Sequence, residues 1–335
     1  MTTELCVETR RGTARESVHR VSVAVVNADG LLLAGSGNPD LVTYWRSSAK
    51  PIQVLPLVEG GGLERFGLGV EELALACASH SSEPVHRAVA GRFLERIGCT
   101  EGDLACGPNR PLGEAVAREV AREGTIMTPI WSTCSGKHAA MLALARHHGW
   151  ETTGYHRAGH PVQDRILQSV VRWTDVPEAQ VIQATDGCNT VCFALPLRNM
   201  ALAYARVATS TTPAVVRVRD AMMAHPELVA GSGRPCTEIM QAMPGRVAVK
   251  IGAEGVYCAA LVDAGLGVAL KVEDGDMVVS PLALIEVLRQ VYARSSALGF
   301  ADALLPQYRQ SRILNTRGEK TGVTAPVGHL TFAVG

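Results

Sequence analysis

Val18-His19-Arg20-Val21-Ser22-Val23-Ala24-Val25-Val26-Asn27-Ala28-Asp29-Gly30-Leu31-Leu32-Leu33-Ala34-Gly35 decides the fold. Two runs rich in Val and Leu flank Asn27-Ala28-Asp29-Gly30. Asp-Gly between apolar runs predicts a β-hairpin turn. The last third of the chain repeats the pattern: Val247 to Ile251, Val256 to Val262 and Gly267 to Val272 predict strands separated by glycine-containing turns. The middle is helical. Pro84 to Ile97 is amphipathic and stops at Gly98, Leu112 to Glu123 stops at Gly124, and Lys137 to His148 stops at Gly149. Thr212-Pro213 reads as an N-cap followed by proline at the first helical position, opening a helix through Ala224. Pro235 to Met243 and Pro281 to Ala297 predict two more. Strands, then helices, then strands make an α/β (α+β) chain with one sheet built from both ends. Residues 1–45 and 245–335 are expected to form a discontinuous sheet domain. Residues 46–244 are expected to form a mostly helical inserted region carrying most of the site. No Pro/Gly/Ser-rich linker marks a boundary, so a shared core is expected.

Composition narrows the function. With 335 residues, 47% of them hydrophobic, the chain can bury a large core. The 32 basic and 32 acidic residues cancel, which points away from nucleic acid and anionic membranes. The longest weakly polar run, Ala259 to Leu270, is too short to cross a bilayer and contains Asp263. The polar, acidic start Met1-Thr2-Thr3-Glu4 is unlike a signal peptide, and 9 cysteines without a Cys-x-x-Cys pair are unlike a secreted disulfide framework. A cytoplasmic location follows as an expectation. Only Lys50, Lys137, Lys250, Lys271 and Lys320 are lysines; the other basic residues are arginine. Codon bias accounts for arginine, but lysine can lose its proton when buried and arginine cannot.

Five segments could carry chemistry. Ser47 and Lys50 in Arg46-Ser47-Ser48-Ala49-Lys50 form Ser-x-x-Lys, which on a helical turn puts an amine beside a hydroxyl it can deprotonate. The same residues also read as a surface helix start, and Pro51 disfavours the α conformation at Lys50. In Cys77-Ala78-Ser79-His80-Ser81-Ser82-Glu83, Ser79 or His80 could face a cleft, or Ser82 could simply cap the helix beginning at Pro84. Trp131-Ser132-Thr133-Cys134-Ser135-Gly136-Lys137-His138 runs into a helix N-terminus, where a substrate carboxylate could bind. Thr185-Asp186-Gly187-Cys188-Asn189 predicts a tight turn whose carboxylate could hold an ammonium group. Cys134 with Cys188 could bind a soft metal such as zinc. Lys250, alone on an apolar strand before a turn, either snorkels from an edge or works with a lowered pKa.

Together and in this order, these segments resemble the class 3, rhizobial-type L-asparaginases, the asparaginase II family. His19-Arg20, Gly37-Asn38-Pro39, Gly154-Tyr155-His156, His225-Pro226-Glu227 and Val229-Ala230-Gly231 extend the resemblance over about residues 15 to 325. It implies a serine β-lactamase/glutaminase-like fold, a homodimer, and hydrolysis of asparagine. It implies Ser47 as nucleophile, Lys50 as its base, and Ser79 with Lys250 as a second serine–lysine pair. Cys134, Lys137 and Cys188 correspond to zinc ligands, Arg46, His138 and Asp186 to residues near substrate, and Cys236 to a cysteine near the site. The loop before residue 213 is shorter than the family's, and Lys320-Thr321-Gly322 is more basic.

Three rival readings compete with this one. A β-lactamase or penicillin-binding-like acyl hydrolase would use Ser-x-x-Lys with Lys320-Thr321-Gly322, but Ser36-Gly37-Asn38 precedes the nucleophile where that class has it following. An autocleaving threonine amidase would cut at Gly124-Thr125-Ile126, although the chain is one unbroken piece. A non-enzymatic zinc or thiol sensor would need only the cysteines.

Overall fold

The computed structural model describes residues 4–294, 299–301 and 305–333. Its strands are β1 (Cys6–Arg11), β2 (Ala14–Asn27), β3 (Leu32–Ser36), β4 (Val42–Tyr44), β5 (Ile182–Thr185), β6 (Val191–Pro196), β7 (Val247–Ile251), β8 (Val256–Leu261), β9 (Leu266–Val272), β10 (Ser311–Leu314), β11 (Lys320–Val327) and β12 (Thr331–Phe332). Its α-helices are α1 (Lys50–Glu59), α2 (Gly62–Phe66), α3 (Val70–Ala76), α4 (Pro84–Arg96), α5 (Glu114–Glu123), α6 (Ser135–His148), α7 (Pro161–Thr174), α8 (Leu197–Thr209), α9 (Pro213–Ala224), α10 (Pro226–Val229), α11 (Pro235–Ala242) and α12 (Ser280–Tyr292).

The chain divides into two compact units. The first holds residues 1–48, 195–209 and 246–335 and is a sheet of order β10-β11-β1-β2-β9-β8-β7, with β3 paired to β2 and β12. Both chain ends build it, as the alternating apolar runs predict. The β2–β3 hairpin turns at Asn27 to Gly30, where Asn27 Oδ1 accepts from Asp29 N and Leu31 N. Strands β7 and β8 read as almost continuous apolar runs because both faces are covered: every residue of both is buried. Helix α8 lies directly on β9. A Cβ at Gly267 would come within 1.9 Å of Ala201 O, so only glycine permits the approach. Residues 195–209 therefore belong with the sheet, whereas the sequence reading put all of 46–244 in the inserted region.

The second unit, residues 49–194 and 210–245, holds α1–α7, α9–α11 and the β5–β6 hairpin. Its central helix is α1, buried from Lys50 through Val58. Ile52, Val54, Leu55, Leu57 and Val58 each contribute roughly 1.5–3 kcal/mol through burial. A surface helix start is therefore the wrong reading of this segment. Pro51 is tolerated because it occupies the first turn, where its missing N–H is not needed. Helix α6 butts against the end of α3, since a Cβ at Gly136 would meet Leu75 O at 2.2 Å. That close approach brings the loop after α3 beside the loop before α6. The expected helix from Pro281 begins at Ser280 and is described through Tyr292; residues 295–297 of that expectation lie outside the described residues.

Candidate active site

In the first unit, a 3-10 turn, Arg46–Ala49, carries Ser47 and leads into α1 at Lys50. Such a turn has three residues per revolution, so positions i and i+3 eclipse. Ser47 is half-buried, while Ser48 is fully buried and structural. Ser48 Oγ donates to Lys250 O at 2.9 Å, and Tyr204 Oη donates to Ser48 O at 2.7 Å. Of the two serines, Ser47 is the one open to reaction. Lys250, fully buried on β7, donates from Nζ to Ile251 O at 2.7 Å. The edge-strand snorkelling alternative fails, because no part of this side chain reaches solvent.

In the second unit, Lys50 is 1% exposed. Its Nζ donates to Ala78 O, to Ser79 Oγ at 3.0 Å and to Cys134 Sγ at 3.2 Å. A buried amine thus links the loops after α3 and before α6. Those loops are also tied by His80 N donating to Thr133 O at 3.2 Å and by Ser82 Oγ donating to Trp131 O at 2.7 Å. Ser82 is therefore not the cap of α4. It takes a left-handed φ of 58° and Glu83 occupies the cap position. His80 is fully buried: Nδ1 accepts from Ser82 N, so Nε2 carries the proton and donates to Ser135 Oγ at 2.9 Å. Burial first, then the charges of His86 and Lys50, push its pKa well below the ordinary histidine value.

Cys134, Lys137 and Cys188 gather as the sequence suggests. Lys137 Nζ donates to Cys188 Sγ at 2.9 Å. The Cys134–Cys188 thiol hydrogen bond, aided by the Lys137 charge, pushes Cys188 down to about 5 and, together with burial, pushes Cys134 up to about 11. Burial favours neutral Lys137, but the charges of Cys188 and Cys134 outweigh it and hold the ammonium protonated. Among the described residues no three His, Cys, Asp or Glu side chains converge on a metal position. The cluster offers two sulfurs and one amine instead, a soft donor set that fits zinc once the amine loses its proton.

His138 is fully buried, and its Nδ1 lies 2.6 Å from Tyr155 Oη. Tyr155 Oη accepts from Ala105 N at 3.0 Å, so its own proton goes to His138 Nδ1 and leaves Nε2–H as the donor. Burial, then the neighbouring Lys137 charge, lowers His138 to about 3, so the ring is neutral. Asp186 opens the predicted turn between β5 and β6: Asp186 N donates to Thr190 O, and Asn189 takes φ 73°. Of the five non-glycine residues at left-handed φ among the described residues, Arg46, Ser82 and Asn189 fall in the segments singled out by chemistry, and Glu254 lies four residues after Lys250. Such backbone costs ~1–3 kcal/mol each and concentrates at functional positions.

Residues 7–326 match the family model of L-asparaginase II. The chain belongs to the L-asparaginase II family. Membership makes it an asparaginase-type amidohydrolase. No curated protein matches it. Among solved structures it is similar to a Bacteroides dorei DSM 17855 protein assigned as a β-lactamase, at 15% identity and TM-score 0.39, over 77% of this chain and 88% of that chain.

Within this L-asparaginase II chain, several sequence expectations find definite places. Lys320-Thr321-Gly322 lies on β11, separated from β7 and its Lys250 by β1, β2, β9 and β8. Gly124 terminates α5 in a left-handed C-cap, which accounts for Gly124-Thr125 without a cleavage site. Cys236 is buried on α11. Ser79 bonds to Lys50 within the second unit, whereas the resemblance pairs it with Lys250, a residue of the first. Tyr155 and the tautomer it imposes on His138 escaped the sequence reading. The signal was Gly154-Tyr155-His156, which carries no chemistry until the fold brings Tyr155 to His138.

Proposed function

We propose that this protein hydrolyses the side-chain amide of L-asparagine to L-aspartate and ammonia through an acyl-enzyme on Ser47. The observation that supports this most is the buried Lys50 amine. It opens α1 three residues after a half-buried serine and bonds Ser79 Oγ and Cys134 Sγ, in a member of the L-asparaginase II family.

Ser47 Oγ attacks the amide carbon as its proton passes to the amine of Lys50. Backbone N–H groups hold the tetrahedral oxyanion. Collapse breaks the C–N bond, the proton returns to the leaving nitrogen, and ammonia departs. Water then attacks the aspartyl ester and gives its proton to the same amine, which passes it to Ser47 Oγ as the C–O bond breaks, freeing aspartate and Ser47. Ser79 and Lys250 support the proton transfers. His138 Nε2–H and Arg46 bind the substrate's carboxylate and Asp186 its ammonium. Cys134 and Cys188 as thiolates and Lys137 as a neutral amine would hold zinc, which when bound would supply a Lewis-acidic position for a further ligand. The protein acts as a cytoplasmic homodimer; nine cysteines without a Cys-x-x-Cys pair suit a reducing compartment.

The test is aspartate and ammonia release from L-asparagine, with L-glutamine alongside and Ser47→Ala as control. Turnover of asparagine that Ser47→Ala abolishes is expected. An inactive wild type on both amides overturns the proposal.

A further inference from the structure

We infer that Lys271 is a tethered cation that positions Lys250: its ammonium, gripped by backbone carbonyls, fixes the turn from which the Lys250 strand hangs. The inference rests on the proton-transfer role proposed for Lys250.

Lys271 lies on β9, opposite Val256 of β8 and Ser22 of β2, and is 9% exposed. Its Nζ donates to Glu254 O at 2.6 Å and Val272 O at 2.6 Å, with Glu273 O at 3.5 Å. An ammonium has three donors and no acceptor, so three converging carbonyls saturate it. A planar guanidinium cannot converge its donors this way, which gives a physical reason for lysine in a chain that otherwise uses arginine. Burial lowers the pKa of Lys271 from the ordinary lysine value, and the carboxylates of Glu254, Asp274 and Glu273 oppose that shift. Without a cation there, carbonyl dipoles from two separate segments would face one another uncompensated.

The gripped turn is strained and tightly fitted. Glu254 has φ 59°, and a Cβ on Gly255 would meet Val272 Cβ at 2.8 Å. Gly252 N donates to Val256 O at 2.7 Å, closing the turn onto the end of β7. Three residues before Glu254, the Ile251 carbonyl accepts from Lys250 Nζ, and the Lys250 carbonyl accepts from Ser48 Oγ next to Ser47. A turn released at Glu254 therefore moves the acceptor that aims the Lys250 amine. Lys271 touches none of the proposed reacting groups, so it is a positioning residue.

The experiment compares Lys271→Met, Lys271→Gln and Lys250→Met for kcat and KM on asparagine and for Tm, assayed well below each Tm. Lys271→Met should lower kcat by at least about tenfold with KM within about threefold. Lys271→Gln, whose amide still offers donors to two carbonyls, should fall between it and wild type. It also serves as the reporting variant if Lys271→Met does not fold. Wild-type kcat in the folded Lys271 variants, with only Tm lowered, overturns the inference. So does Lys271→Met matching or exceeding Lys271→Gln, because that order signals aliphatic packing. If Lys250→Met keeps wild-type kcat, the proposed role of Lys250 fails. If Lys250→Met is inactive and both Lys271 variants are normal, only the role of Lys271 fails.

Discussion

Replacing Lys50 by methionine separates the amine's chemistry from its packing. The side chain is 1% exposed, and methionine matches its length without its charge. The substitution orphans Ala78 O, which accepts from Nζ, and an unsatisfied buried acceptor costs ~1–3 kcal/mol. Ser79 Oγ and Cys134 Sγ lose one donor each, but a hydroxyl can rotate and sulfur is a weak acceptor. Against this, the variant no longer buries a polar amine, which is itself unfavourable. The net loss should therefore not exceed about 3 kcal/mol, and a protein of ordinary stability remains folded. Catalysis has no such compensation: removing a general base lowers the rate by ~10²–10⁴-fold. Urea unfolding measures the first quantity and the kcat of aspartate release the second. A folded Lys50→Met enzyme within about tenfold of wild-type kcat would refute the assignment of Lys50 as base.

Tyr155→Phe leaves Ala105 N and His138 Nδ1 without their partner, so unfolding free energy should fall by about 1–3 kcal/mol and KM for asparagine should rise as the His138 tautomer is freed. An unchanged KM would remove His138 from the substrate pocket. His80 is neutral when folded, with its pKa lowered by burial, and protonates near pH 6.5 only when unfolded. Stability is therefore fully present above pH 6.5 and falls as pH drops toward the folded pKa, by up to about 1.4 kcal/mol per pH unit. Urea titrations between pH 5 and 7.5 should show a slope that His80→Gln reduces by about one proton; an equal slope in both proteins contradicts the buried neutral ring. Purified wild type should carry one zinc per chain by elemental analysis and Cys188→Ser markedly less, and equal zinc in both would remove the metal from this cluster.

The sheet was legible because its strands are written as almost continuous apolar runs between glycine turns, and the hairpin at Asn27 to Gly30 announces itself. Helix α8 was not legible as part of the sheet unit, because the decisive feature is the absence of a side chain at Gly267. Strands β1, β10 and β11 were missed, since Glu8, Arg10 and Arg11 or Arg312 and Lys320 dilute the alternation that marks a half-covered strand. At the site, the Lys137–Cys188 contact follows the residue types that the sequence displays. The Ser79–Lys50 bond, the orienting Tyr155 and the Lys271 carbonyl cage depend on distant segments meeting. A hydroxyl before Pro84 looks like a cap, one of the two alternatives that segment offers, whereas the left-handed backbone of Ser82 sends its hydroxyl to Trp131 O.

The central claim is the covalent ester on Ser47. Wild-type enzyme saturated with L-asparagine, quenched in acid, digested and mapped by tandem mass spectrometry should carry an aspartyl group on Ser47 and on no other residue. An aspartyl group on Ser79 or Ser48, or none at all from a Lys250→Met enzyme shown to stall after ammonia release, would contradict it.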